Sequence, residues 1–172
     1  MKAGFARASR AVIRERITMF RKNHLRELLK AGKPSLGTRL YFGLPSEIEL
    51  VGHTGAFDYV EFLAEYAPFD LHMLENVARA IELYPDFTGM IKIPQDLRAH
   101  LAVRALSAGI QNLLFADIRT PQDAEECVRA VRADTPELGG LHGVGMGRDV
   151  GLVLEAGTPF FVQTTADAVV AL

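Results

Sequence analysis

Lys92 interrupts an otherwise apolar run, Met90-Ile91-Lys92-Ile93, and Glu65-Tyr66 closes another that starts at Tyr59. An ammonium, a carboxylate and a phenol at the ends of apolar runs can move a proton or share the charge of a developing oxyanion. Tyr66 can hydrogen-bond, or act as acid or base if its pKa is lowered, and Lys92 supplies a cation without the bidentate fork of an arginine. Alternation along the Tyr59 run puts Tyr59, Glu61, Leu63 and Glu65 on one face. A buried Glu61 is expected to pair with Lys92 on the neighbouring strand, either as part of a polar site or as a purely structural ion pair. Arg148 follows Gly143-Val144-Gly145-Met146-Gly147 and is a candidate to reach a substrate carboxylate. His142, just before those glycines, is a second candidate substrate-binding residue. The glycines do not run from a strand straight into a helix, so they are not read as a phosphate cradle. Asp117, near the end of another run, is either a site residue or a cap for the loop before Thr120. The histidines have no metal-ligand spacing, and Cys127, the single cysteine, reads as a packed apolar residue.

The runs carrying these groups repeat. His24, Leu25, Leu28 and Leu29 form an apolar stripe ended by Gly32 and Pro34. Apolar runs at 38–44, 59–65, 89–93 and 112–118 then alternate with helical stretches at 46–51, 71–83 and 96–107. A fourth helix begins at Pro121, with Thr120 as its N-cap and Cys127, Val128 and Val131 facing inward. Strand and helix, four times over, predict right-handed βαβ units and a parallel sheet. Residues 135–161 hold seven glycines and no strong period, and read as a long functional loop. A fifth apolar run covers 167–172. A complete (β/α)8 barrel takes about 250 residues and eight strands. The expected fold is therefore α/β: a partial (β/α)8 TIM barrel of about five strands, truncated before closure, with free edges on its first and fifth strands.

Two regions are expected, a basic leader over 1–22 and the barrel portion over 23–172. The leader holds Lys2, Arg7, Arg10, Arg14, Arg16, Arg21 and Lys22 against Glu15 alone. It reads as a mitochondrial-type presequence, a basic amphipathic arm, or an over-extended start with translation beginning at Met19. The whole chain carries a net charge of -2, which offers no basic footprint for nucleic acid. No apolar run approaches the roughly 20 residues of a membrane helix. One thiol makes no internal disulfide, and a cytoplasmic compartment is expected.

The run Phe57-Asp58-Tyr59-Val60-Glu61-Phe62-Leu63-Ala64-Glu65-Tyr66-Ala67-Pro68 resembles the second strand of the HpcH/HpaI aldolase family, which ends in an acidic residue, a catalytic His and Ala-Pro. Further similarity lies in Leu25 through Gly37, Met90-Ile91-Lys92, Gly109-Ile110-Gln111 through Phe115, Asp123 through Arg132, and Gly140-Leu141-His142-Gly143-Val144-Gly145. It covers residues 23–172 and identifies the chain as the N-terminal portion of such a protein. The resemblance implies a class II aldolase, a carbon–carbon lyase acting on pyruvate and 4-hydroxy-2-oxo acids through the enolate held on a divalent metal (Mg2+ or Mn2+). The implied partners are a small 2-oxo acid and an aldehyde, in a homo-oligomeric parent. At the family's strand-two Asp this chain has Leu63, at its His Tyr66, and at its strand-three Arg Lys92. Tyr66, Lys92, Glu65 and Glu61 are thus the candidate catalytic residues. The family's metal-binding carboxylates follow later strands, so no metal ligand is assigned in this chain, and the isolated chain is expected to be inactive. Two alternatives stand: a non-catalytic truncated relative serving as an interaction half-barrel, and a citrate-lyase-like acyl-CoA lyase.

Overall fold

A computed structural model describes residues 21–172. The elements run α1 (His24–Lys30), β1 (Gly37–Leu40), α2 (Pro45–His53), β2 (Tyr59–Phe62), α3 (Leu71–Ile81), β3 (Thr88–Ile93), α4 (Arg98–Ala108), β4 (Asn112–Phe115), α5 (Pro121–Val131), α6 (Phe160–Asp167) and β5 (Val169–Ala171). The five strands form one open parallel sheet in the order β1-β2-β3-β4-β5, as successive right-handed crossovers require.

Local chemistry sets the helix boundaries. Asp70 caps α3 by accepting from the Met73 N–H at 2.7 Å. Thr120 and Asp123 form a reciprocal capping box on α5, with Pro121 in its first turn. Gly109 ends α4 with φ 104°, a left-handed conformation that costs glycine nothing. Alternation along the strands then sorts the side chains. Val60, Phe62, Ile91, Ile93, Leu113 and Phe115 point to the helices and pack with Ile48, Leu74, Val77, Leu101 and Val131 in the main core. The opposite, concave face carries Arg39, Glu61, Met90, Lys92 and Leu114. Its floor is a small apolar cluster of Leu25, Met90 and Val169 with Tyr59 and Leu114.

The N-terminal ends of the strands are tied by a buried polar network. The Asn23 amide donates to Asn112 Oδ1 at 2.7 Å and to the Asp167 carbonyl at 2.9 Å. The Asn112 amide in turn donates to Thr88 Oγ1 at 3.0 Å and the Gly89 carbonyl at 2.9 Å.

β1, β2, β4 and β5 are shorter than the apolar runs that predict them, because those runs continue into the flanking segments, whereas β3 begins one residue before its run. The stretch 135–161 is not one loop. It pairs His142 with Ala133 in an isolated parallel bridge, forms a short 3-10 helix at Arg148–Val150, and leads into α6. The basic-leader reading falls mostly on residues 1–20, outside the described residues. Arg21 belongs to the body: its guanidinium donates to the carbonyls of Ile81 (3.2 Å), Tyr84 (2.6 Å) and Phe87. Among the described residues no helix is long and apolar enough to cross a membrane.

Candidate active site

Beyond Phe62 the chain leaves β2 in a tight turn, with the N–H groups of Tyr66 and Ala67 both donating to the Leu63 carbonyl at 3.0 Å. That turn sets Glu65 and Tyr66 over the C-terminal end of β3, where Lys92 emerges. The Lys92 ammonium stands 2.5 Å from a Glu65 carboxylate oxygen and donates to the Tyr66 hydroxyl at 2.8 Å. It also lies 4.5 Å from the centroid of the Tyr66 ring. Tyr41 steadies the turn by donating its hydroxyl to the Tyr66 carbonyl at 3.0 Å. The electrostatics follow from this contact. The Lys92 ammonium, and secondarily the Tyr66 hydroxyl, hold the Glu65 carboxyl below the ordinary carboxylate range against the opposing pull of burial. Glu65, then Tyr66, hold the Lys92 ammonium above its ordinary value. Lys92 is therefore charged at neutral pH, and the Tyr66 hydroxyl accepts from it while also bonding the Glu65 carboxylate.

Glu61 is buried on the concave face, but its partner differs from the one expected. Arg39, its register neighbour on β1, donates Nε to Glu61 Oε2 at 3.2 Å. Lys92 lies beyond the end of β2 and takes Glu65 instead. Asp117 follows β4 with φ 56°, and Arg98 donates to its backbone carbonyl at 2.9 Å. The N-cap of α5 is Thr120, with Asp123 as its capping-box partner. Asp123 accepts from the N–H groups of Arg119 and Thr120, and Arg98 holds its carboxyl well below the carboxylate range.

His142 and Arg148 do not join Glu65, Tyr66 and Lys92. The segment between α5 and β5 runs along the opposite, N-terminal end of the sheet. There Arg148 forms an ion pair with Glu82, which follows α3 and precedes β3. His142 is fully buried, 3.4 Å from the buried Asp149 carboxylate and edge-on to Phe161. Both stand apart from the Lys92 group, because the glycines fold this segment back toward the N-terminal end of the sheet. A cavity of about 290 Å³, lined by Arg21, Glu82, Gln111 and Arg148, also opens at that end. Barrel enzymes keep their chemistry at the C-terminal ends of the strands, so the Lys92 group is the candidate site. Cys127 is buried, and that burial pushes its thiol pKa up, as suits a packing residue.

Two site residues escaped the sequence reading. Arg39 carries the same signal as Lys92, a charge inside an apolar run, and Tyr41 lies just beyond it. The divalent metal implied by resemblance finds no grouping of three carboxylate, histidine or cysteine side chains among the described residues. Glu61 and Glu65 are each already engaged by a cation. The described residues do not fit such an ion.

No family model matches the chain. A pyruvate aldolase from Rhizobium etli is 32% identical over 112 residues, 64% of this chain and 42% of that protein. A hydroxypyruvate/pyruvate aldolase from Deinococcus radiodurans is 30% identical over 123 residues, 72% of this chain and 42% of its own length. The crystal structure of an HpcH/HpaI aldolase/citrate lyase family protein from Burkholderia cenocepacia superposes with a TM-score of 0.75 at 30% identity, covering 87% of this chain and 58% of that one. The chain is related to the HpcH/HpaI aldolases. It spans less than half the length of the curated relatives it matches. Its open five-stranded parallel sheet matches part of the TIM barrel of those aldolases. Tyr66 and Lys92, which stand where the resemblance puts the family's His and Arg, are in direct contact.

Proposed function

We propose that the chain forms the β1–β5 side of a carbon–carbon lyase that acts on pyruvate and 4-hydroxy-2-oxo acids, with an aldehyde as partner and a homo-oligomeric parent protein. The observation that carries this reading is the contact of Lys92 with Glu65 and Tyr66 at the C-terminal ends of β2 and β3, in a chain related to aldolases. Cleaving or forming a bond next to a ketone puts negative charge on the ketone oxygen as the enolate forms. Lys92, kept cationic by Glu65, and the Tyr66 O–H supply a cation and a donor to that oxygen. Glu65 balances the cation in the resting site and holds it in place. The divalent metal expected from the resemblance would be held outside the described residues, and aldol turnover by the isolated chain with Mg2+ or Mn2+ is not expected.

The test needs no turnover. Oxalate is a planar dianion shaped like the pyruvate enolate, and a site built for the enolate binds such a mimic more tightly than the ketone. Titration calorimetry on the 172-residue chain should show oxalate binding more tightly than pyruvate. Tyr66→Phe and Lys92→Met should each weaken oxalate by about tenfold, one charge-assisted hydrogen bond. Oxalate binding no tighter than pyruvate, or unmoved by both variants, refutes the reading.

A further inference from the structure

Resting on the lyase reading above, we infer that Arg39 is the residue that receives the carboxylate of the 2-oxo acid. Leu40 packs toward the main core, so Arg39 stands on the concave face, as do Glu61 on β2 and Lys92 on β3. The registers Arg39↔Glu61 and Glu61↔Met90 put Lys92 two strands across and two residues further along. At ordinary strand spacing and rise that is about 12 Å between Cα atoms, within reach of two long side chains converging on one small acid. The same face carries the apolar cluster of Leu25, Tyr59, Met90, Leu114 and Val169. Gly37 permits this: the Tyr59 ring lies so close across β1 that a Cβ at Gly37 would come within 2.2 Å of it. Arg39 and Glu61 thus stand beside apolar neighbours, with Met90 in register with Glu61 and Leu114 with Lys92.

The two cations on this face are committed differently. Lys92 has three N–H donors, and Glu65 and Tyr66 occupy it from two sides. Arg39 has five, and only Nε is used, on Glu61 Oε2. Its two terminal nitrogens have no protein partner among the described residues, and its side chain is 72% exposed where that of Glu61 is 5%. The buried carboxylate fixes one edge of the guanidinium. The end formed by the terminal nitrogens is the planar fork that grips a carboxylate through two parallel hydrogen bonds. Where the resemblance implies an Arg on strand three this chain has Lys92, and the planar fork is supplied from β1. The division of labour follows: Arg39 holds the carboxylate, and Lys92 with Tyr66 meets the charge that develops on the neighbouring ketone oxygen.

Calorimetric titration of the full chain with pyruvate and with propionate, which lacks the ketone, tests this. Arg39→Gln alone strands a buried carboxylate and can unfold the protein, so the informative variant is Arg39→Gln/Glu61→Gln, checked for its fold by circular dichroism. Pyruvate affinity should fall by at least about tenfold in that double variant and by less than about threefold in Lys92→Met. Glu61→Gln alone, whose amide oxygen still accepts from Arg39 Nε, should weaken pyruvate less than the double variant does. If Lys92→Met abolishes pyruvate binding and the double variant keeps it, Lys92 is the anchor and the inference falls, while the lyase reading stands. Propionate binding as tightly as pyruvate, and lost in the double variant, supports the Arg39 anchor but removes the 2-oxo-acid reading. No saturable pyruvate binding by the wild-type chain overturns the inference.

Discussion

Replacing His142 with Phe separates a structural histidine from a ligand-binding one. The His142 and Asp149 side chains are 1% and 0% exposed, and Nε2 and Oδ2 stand 3.4 Å apart. Neither Asp149 oxygen has a hydrogen-bond partner among the described residues. Phenylalanine keeps the ring and its edge contact with Phe161, now at 5.3 Å between centroids, but leaves the carboxylate buried and alone. Stranding one member of a buried pair costs about 3–5 kcal/mol. Removing both, in His142→Phe/Asp149→Leu, abolishes the unpaired charge and should cost about 1 kcal/mol. The assay is urea unfolding followed by circular dichroism. At a slope of about 2 kcal/mol per molar urea, the single variant should lower the midpoint by about 2 M and the double variant by about 0.5 M. Pyruvate binding should be unchanged in the double variant. A single variant within about 1 kcal/mol of wild type, or a double variant as unstable as the single, would refute the buried-pair account.

Three further outcomes are expected. Gly140→Ala should destabilise by about 2 kcal/mol or more, because its Cβ would sit 1.8 Å from the Arg132 carbonyl oxygen, whereas Gly143→Ala, with open space around it, should be neutral; equal melting temperatures for the two would contradict the packing. Ile91→Ala, at a fully buried position of the central strand, should cost about 2–5 kcal/mol in urea unfolding, and a loss under 1 kcal/mol would mean that β3 is not central to the core. The Glu65–Lys92 pair should stabilise the fold only between two pH limits. The lowered Glu65 pKa gives stability that is complete above its unfolded value, about 4.3, and lost as pH falls through the folded one; the raised Lys92 pKa gives stability that is complete below about 10.4 and lost as pH rises through the folded one. The melting difference between wild type and Glu65→Gln/Lys92→Met should therefore be flat near neutrality and shrink toward both extremes, and a difference undiminished at pH 3 would exclude the Glu65 part.

The βαβ rhythm was legible because each strand is a short apolar run and most helices carry strong end signals, such as Thr120-Pro121 and Gly109. Helix α6 was not. Its sequence, Phe-Phe-Val-Gln-Thr-Thr-Ala-Asp, is short, holds β-branched residues and has no side-chain cap, so only its packing makes it helical. At the site, Glu65, Tyr66 and Lys92 were readable from position at the ends of runs. The pairing of Glu61 was not, since alternation gives a face but not which neighbouring strand supplies the partner, and Arg39 on β1 stands directly in register where Lys92 does not. The placing of His142 and Arg148 away from Lys92 was not legible, because glycines mark freedom of the backbone without saying to which end of the sheet the chain returns.

The amide of Asn23 joins residues far apart along the chain. It bonds Asn112, 89 positions away, and the carbonyl of Asp167, 144 positions away. Contacts of such separation form only after long loops have closed, when β4 and α6 have already docked. Asn23 is therefore a latch that engages late on the folding route. Its removal should quicken unfolding while leaving the rate of folding nearly untouched, so the base of the barrel governs how long the folded state lasts rather than how fast it is reached.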